Sequence, residues 1–192
     1  MRALVFAAAL LAAGAAQAEP VTYVLDPAHT QVAFSIERFG FNHVLGRFDQ
    51  VAGELVLDEA NPVASSVHAT IQIASVSSGD ATRDGHLRGD HWLNAAQFPT
   101  MEFRSTSVRL TGENRAEVVG DLKLLGQTHP VTLAVTLNRI GDAPNNQRRS
   151  AGFSATGSLS RAVWGSATAP SLIGDAVSIQ IEALAQVPAS AN

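Results

Sequence analysis

From residue 31 onward, apolar side chains recur at every second position. Val32, Phe34 and Ile36 alternate with Ala33 and Ser35; Gly53, Leu55 and Leu57 alternate with Glu54 and Val56. The same period runs through Val67, Ala69, Ile71 and Ile73, through Val118, Gly120, Leu122 and Leu124, and through Val131, Leu133, Val135 and Leu137. It returns at Ala151, Phe153, Ala155, Gly157 and Leu159, and at Val177, Ile179, Ile181 and Ala183. A period of two places alternate side chains on one face of a strand. The stretch from Met101 to Leu110 has the same character, but its phase slips between Phe103 and Val108, which predicts a β-bulge. These segments make about eight strands.

The separators read as turns: 58–62 (DEANP), 111–114 (TGEN), 126–129 (GQTH) and 141–146 (GDAPNN). Each is rich in residues that accept positive φ or close a turn locally. Such short connections join antiparallel neighbours. One stretch, Thr82 to Asn94, lacks alternation and predicts a short helical segment over one end; Gly85 and Gly89 argue against a long regular helix. Strands of about ten residues favour a closed barrel over a sandwich. The predicted fold is all-β, one extended antiparallel barrel. Several inward-phase positions are small, namely Gly53, Ala69, Gly120, Ala151, Ala155, Gly157 and Ala183. They predict interior volume for one apolar ligand, with tight packing of a tapered barrel as the alternative.

Composition adds location. The 192 residues are 46% hydrophobic and 16% charged, which is globular composition for one domain. Residues 1–18 hold Arg2, an apolar run from Ala3 to Ala13 and a small-residue Ala16-Gln17-Ala18 site, the parts of a secretory signal peptide. The run is too short to span a bilayer. Cleavage after Ala18 and a periplasmic product are therefore expected, with residues 19–192 forming the barrel domain and no stable membrane insertion. Cysteine is absent, so packing alone must hold the fold. A net charge of −4 with no basic stripe argues against nucleic acid as a partner.

Candidate chemistry is sparse. The six histidines, His29, His43, His68, His86, His91 and His129, form no recognisable zinc spacing. Asp84, His86, Asp90 and His91 make the densest polar cluster, read either as a hydrogen-bonded cap over the barrel mouth or as a metal or acid/base site. Gly152-Phe153-Ser154-Ala155-Thr156 lacks the closing glycine of a nucleophile elbow and lies in a strand. The expected protein has no catalytic residue, metal or other cofactor. His29, after Asp26-Pro27, and Arg161, at a strand end, are candidate head-group contacts. Phe34, Ile36, Phe39, Phe48, Leu55, Ile71, Trp92, Phe103, Leu122, Leu133, Phe153 and Trp164 are the candidate tunnel lining.

Blocks along the chain carry a resemblance. Residues 23–30 (YVLDPAHT), Phe39-Gly40, 44–48 (VLGRF), 83–88 (RDGHLR), 98–103 (FPTMEF), Gly120-Asp121-Leu122, 126–133 (GQTHPVTL), Ser160-Arg161, Gly165 and 174–177 (GDAV) occur in that order. Together they resemble the YceI-like family of exported, lipocalin-like barrels. The resemblance implies an eight-stranded barrel whose apolar tunnel binds a polyisoprenoid or a similar amphiphile such as an isoprenoid quinone. It implies no defined reaction. The chain departs from the pattern at Arg38, where His is usual, at Thr30, where Ser is commoner, and at Val163, where Asp often follows the Arg. The functional expectation is a periplasmic carrier for a lipid with a prenyl chain. The alternatives are a stress-associated interaction protein with a filled barrel and a lipid-modifying metal enzyme. A homodimer is left open.

Overall fold

The computed structural model describes residues 19–189; the predicted signal peptide and its cleavage site after Ala18 lie outside them. The strands are β1 (Val21–Leu25), β2 (Gln31–Arg38), β3 (Asn42–Phe48), β4 (Val51–Leu57), β5 (Ser66–Gln72), β6 (Val76–Ser77), β7 (Thr100–Gly112), β8 (Arg115–Leu124), β9 (Gln127–Asp142), β10 (Arg149–Ser160) and β11 (Ile173–Gln186). One helix, α1 (Ala81–Arg88), lies between β6 and β7.

Every pairing is antiparallel, and the ladder closes on itself through β1 and β11. β1 pairs with β4 while β2 pairs with β3, so β1/β2 and β3/β4 are two long staves, each interrupted once. β5 and β6 form a third, broken by the 3-10 turn Ile73–Ser75. With β7 to β11 the barrel has eight staves. β11 holds it shut: it pairs with β10 along its length, with β2 on its other edge from Ile173 to Glu182, and with β1 at Ala185 and Gln186. Closure removes the exposed sheet edges that a sandwich would leave.

The predicted bulge is present, with the β7–β8 register shifting between Ser105 and Ser107. Beyond it Val108 and Leu110 face inward, as Met101 and Phe103 do before it. The non-alternating stretch contains α1, eight residues long, capped by the Asp80 side chain on Arg83 N–H and ended at Gly89.

β1, β3 and β6 were not apparent in the hydrophobic pattern. β1 and β6 are short, and in β3 the inward face reads Val44, Gly46, Phe48 beside an outward Leu45, so contrast between faces is lost. Gly46 leaves room for the Phe34 ring, whose tip would stand 2.3 Å from a Cβ there.

The packed core lies against β4, β5, β7 and β8, where Leu55, Ile71, Met101, Phe103, Val118 and Leu122 are buried. The opposite wall differs. Phe34, Ile36, Phe153, Leu159, Val177, Ile179 and Ile181 share the inward phase but are only half-buried. An inward side chain that stays half-exposed faces a void.

The glycines expected to open that void do the reverse. A Cβ at Gly53 would meet the His68 carbonyl oxygen at 2.2 Å, one at Gly120 the Phe103 ring at 2.3 Å, and one at Gly157 the Leu133 side chain at 2.8 Å. These glycines admit neighbouring backbone and rings. Ala151 is buried in packing, while Ala69, Ala155 and Ala183 line the cavity.

Candidate functional site

The interior holds one continuous cavity of about 430 Å³, within the usual range for small-molecule sites. All eight staves contribute to its wall. With about 3.3 Å per residue and a tilt near 40°, staves of a dozen residues give a tunnel roughly 30 Å long.

Its polarity is distributed by position. Ser65, Ser66, Glu113, Asn114 and Arg115 line one end, and Arg161 and Ser166 the other. The middle is apolar apart from Thr30 and Ser105, whose hydroxyls are already engaged. Thr30 Oγ1 donates to the Leu184 carbonyl at 3.2 Å, and Ser105 Oγ accepts from the Val67 N–H at 2.9 Å. Such a tube suits a long apolar chain with a polar group at an end, because no unsatisfied donor or acceptor punishes a hydrocarbon in the middle.

Arg161 is the chemical landmark. It is 6% exposed, yet among the described residues no carboxylate lies within ion-pair distance of it. Nε donates to the Gly174 carbonyl at 2.9 Å, one terminal nitrogen to Ser166 at 2.6 Å and the other to Ile173 at 3.0 Å. Those bonds fold the 161–174 connection over the barrel end. A guanidinium has five N–H donors, so two remain, and the group also lies 5.7 Å from the Trp92 ring centroid. Asp175 stands behind it: the Ser160 hydroxyl and the Ala162 N–H donate to its carboxylate and hold its pKa below the usual value.

Phe34, Ile36, Phe48, Leu55, Ile71, Trp92, Phe103, Leu122, Leu133 and Phe153 all lie on the cavity wall. Phe39 and Trp164 do not. Phe39 is exposed in the β2–β3 turn at φ 58°, because the period-two phase of β2 ends at Arg38. Trp164 is buried outside the lumen, its indole N–H donating to the Leu122 carbonyl at 3.1 Å and its ring edge-on to His129. His29 is also outside, two-thirds exposed, with Nδ1 3.0 Å from Asp26 Oδ2. Partial burial pushes the Asp26 pKa up, but bonds from His29 and the Ala28 N–H outweigh it and leave it lowered. Lining residues missing from the expected set include Leu93, Ser166, Val177 and Ile179. The last two carried the inward phase in the sequence; the first two lie in connections where periodicity says nothing.

The polar cluster does not converge. Asp84 accepts from the Ser78 N–H and hydroxyl, which with nearby Arg88 and Arg83 lower its pKa. His91 and Asp90 are both exposed, 3.8 Å apart. Among the described residues, no three His, Cys, Asp or Glu side chains are placed to share a metal ion.

The model of the YceI-like domain matches residues 23–185, nearly the whole described barrel. The chain belongs to the YceI-like family. A YceI protein of Escherichia coli O17:K52:H18 is 39% identical over 156 residues, 81% of each chain. The crystal structure of Burkholderia cenocepacia BcnA superposes with a TM-score of 0.75 at 23% identity, covering 83% of this chain and 98% of that one. A polyisoprenoid-binding domain from Saccharophagus degradans superposes with a TM-score of 0.65 at 17% identity, covering 86% and 98%. The YceI-like blocks take on structural meaning here. Asp26 to Thr30 is the kink joining β1 to β2, tied to β11 through Leu184. Ser160-Arg161 and Gly174-Asp175 are the two sides of the Arg161 clasp.

Proposed function

We propose that this chain is a periplasmic carrier that holds the prenyl tail of a polyisoprenoid or isoprenoid quinone in its tunnel, with the polar head at the Arg161 end. The cavity carries the reading: it is continuous, apolar along its middle and polar at its ends. The likeness in fold to a polyisoprenoid-binding domain supports it. Each five-carbon unit moved from water into such a wall contributes on the order of 3 kcal/mol before association costs. Affinity then grows with chain length, and the spare donors of Arg161 favour a head bearing a carbonyl, hydroxyl or anionic oxygen. The filled-barrel alternative has no support in this interior, and the polar cluster is not arranged as nucleophile, base and orienter. The role is binding without turnover.

Trp92 lines the cavity while Trp164, the other tryptophan, is packed behind the wall. Titration with an isoprenoid quinone should therefore quench Trp92 emission saturably at one ligand per chain, and Trp92→Phe should lose most of that signal while retaining binding by native mass spectrometry. Native mass spectra of freshly purified protein should show a co-purifying lipid. Purified protein that binds neither a prenyl alcohol nor a prenyl quinone overturns the proposal. Export is tested separately, by recovering chains that begin at Glu19 from the periplasmic fraction.

A further inference from the structure

The hairpin joining β2 to β3 breaks two rules of soluble proteins at once. Phe39, Gly40 and Phe41 form the turn that links Arg38 to its partner Asn42; the first two have φ of 58° and 72°, and the Phe41 N–H donates to the Arg38 carbonyl. The first position of such a turn favours Asn, Asp or Gly, because other side chains clash in the left-handed region. Here it is Phe. The next residue, Phe41, is 89% exposed, the highest exposure among the large hydrophobic residues described. The neighbouring β10–β11 connection adds Val163 and Leu172, each about half-exposed, and the Phe39 N–H donates to the Leu172 carbonyl. Local rules are broken without internal compensation mainly where a surface has work to do.

The patch is continuous with the tunnel. Arg38 pairs with Ile173, whose carbonyl accepts from Arg161, and Ile36, two residues back along β2, is on the cavity wall. Its charges fit one class of surface. The Glu37 carboxylate is turned back onto the Gly40 N–H. Arg38 lies over the Phe39 ring at 3.9 Å and has no carboxylate partner among the described residues. Exposed aromatic rings beside an unpaired guanidinium suit the boundary between acyl chains and anionic headgroups. A stable protein interface takes about 20–30 residues a side, far more than this projecting tip presents.

We infer that the Phe39–Phe41 hairpin, with Val163 and Leu172, is a membrane-docking tip that seats the Arg161 end of the barrel on an anionic bilayer, where a prenyl lipid passes between membrane and tunnel. The inference rests on the carrier reading for its purpose, and the vesicle measurement below tests it independently of that reading. Phe39→Asn/Phe41→Ser puts residues suited to the turn in place of both rings, so the double variant should melt no lower than the wild type. The probe is vesicles of phosphatidylethanolamine and phosphatidylglycerol, 3:1. The wild-type protein should co-sediment with them, and the variant should lose at least tenfold in affinity. Transfer of a fluorescent prenyl alcohol from vesicles to protein should slow by a similar factor, while equilibrium binding of the same probe from detergent stays unchanged. Wild-type protein that ignores the vesicles, or a variant that binds them equally, overturns the docking tip. So does wild-type dimerisation through this tip, shown by a dimer in sedimentation velocity that the variant abolishes. Failure of the detergent-delivered probe to bind overturns the carrier reading instead, and sedimentation still decides the docking.

Discussion

Ala183 and Gly120 both point inward, but a large residue should have opposite effects at the two positions. Ala183 lines the cavity on β11, opposite the half-buried Phe153. In Ala183→Phe the new ring projects into open volume within a cavity of about 430 Å³, and Phe is a good strand former. Stability should change by less than about 1 kcal/mol, which for a chain of this size is about 2–4 °C in Tm. The ring occupies the space of at least one isoprene unit, on the order of 3 kcal/mol of transfer free energy, so binding of a prenyl lipid should weaken roughly a hundredfold. At Gly120 even the first carbon would stand 2.3 Å from the Phe103 ring and 2.7 Å from the Arg104 carbonyl oxygen. The ring has room to turn; the backbone oxygen belongs to a paired strand and does not. Gly120→Leu should therefore cost about 1–3 kcal/mol through overpacking. Thermal melts and Trp92 quenching titrations on both variants check the pair. Ala183→Phe that binds the lipid like wild type, or that loses as much stability as Gly120→Leu, would refute the view that this wall faces a usable void.

Arg161→Met should lower stability by about 3 kcal/mol, because three carbonyls lose charge-assisted donors beneath the 161–174 connection; urea melts measure it, and a loss below 1 kcal/mol would deny the clasp. Gly46→Ala should cost little, since the clash at 2.3 Å is with a Phe34 ring tip that is able to swing into the tunnel, whereas Gly53→Ala meets a backbone oxygen at 2.2 Å and should destabilise more; paired melts rank them. The Asp175 pKa is lowered in the folded protein, so its contribution is present above the usual value near 3.8 and fades as pH falls through the lower folded value. The Tm difference between wild type and Asp175→Asn should accordingly be constant from pH 7 to 5 and shrink below pH 4.

The sequence by itself determined β2, β4, β5 and β7 to β11, the faces of these strands, and the bulge. Alternation from Val32 to Ile36 or from Val177 to Ala183 is a local consequence of the pleat, because a residue's neighbour two positions away shares its face wherever the strand packs. The same logic assigned most of the wall, including Phe34, Phe103, Leu133 and Phe153. It failed where the period ended: Phe39, one residue past β2, went to a hairpin tip, and Trp164, in a 3-10 turn after β10, went behind the wall.

Only the tertiary structure decided where the empty space is. A small residue leaves volume only if no neighbour fills it. Gly46 and Gly120 are covered by the rings of Phe34 and Phe103, which come from adjacent staves. The void arises instead across the barrel, where β2, β10 and β11 present large side chains that stop short of the opposite wall. Arg161 likewise shows in the sequence as a lone cation at a strand end. Its burial against three carbonyls depends on the 161–174 connection folding back, a contact between segments that no local pattern encodes. Inward direction is a property of one strand; the distance across the lumen belongs to all eight staves closing together.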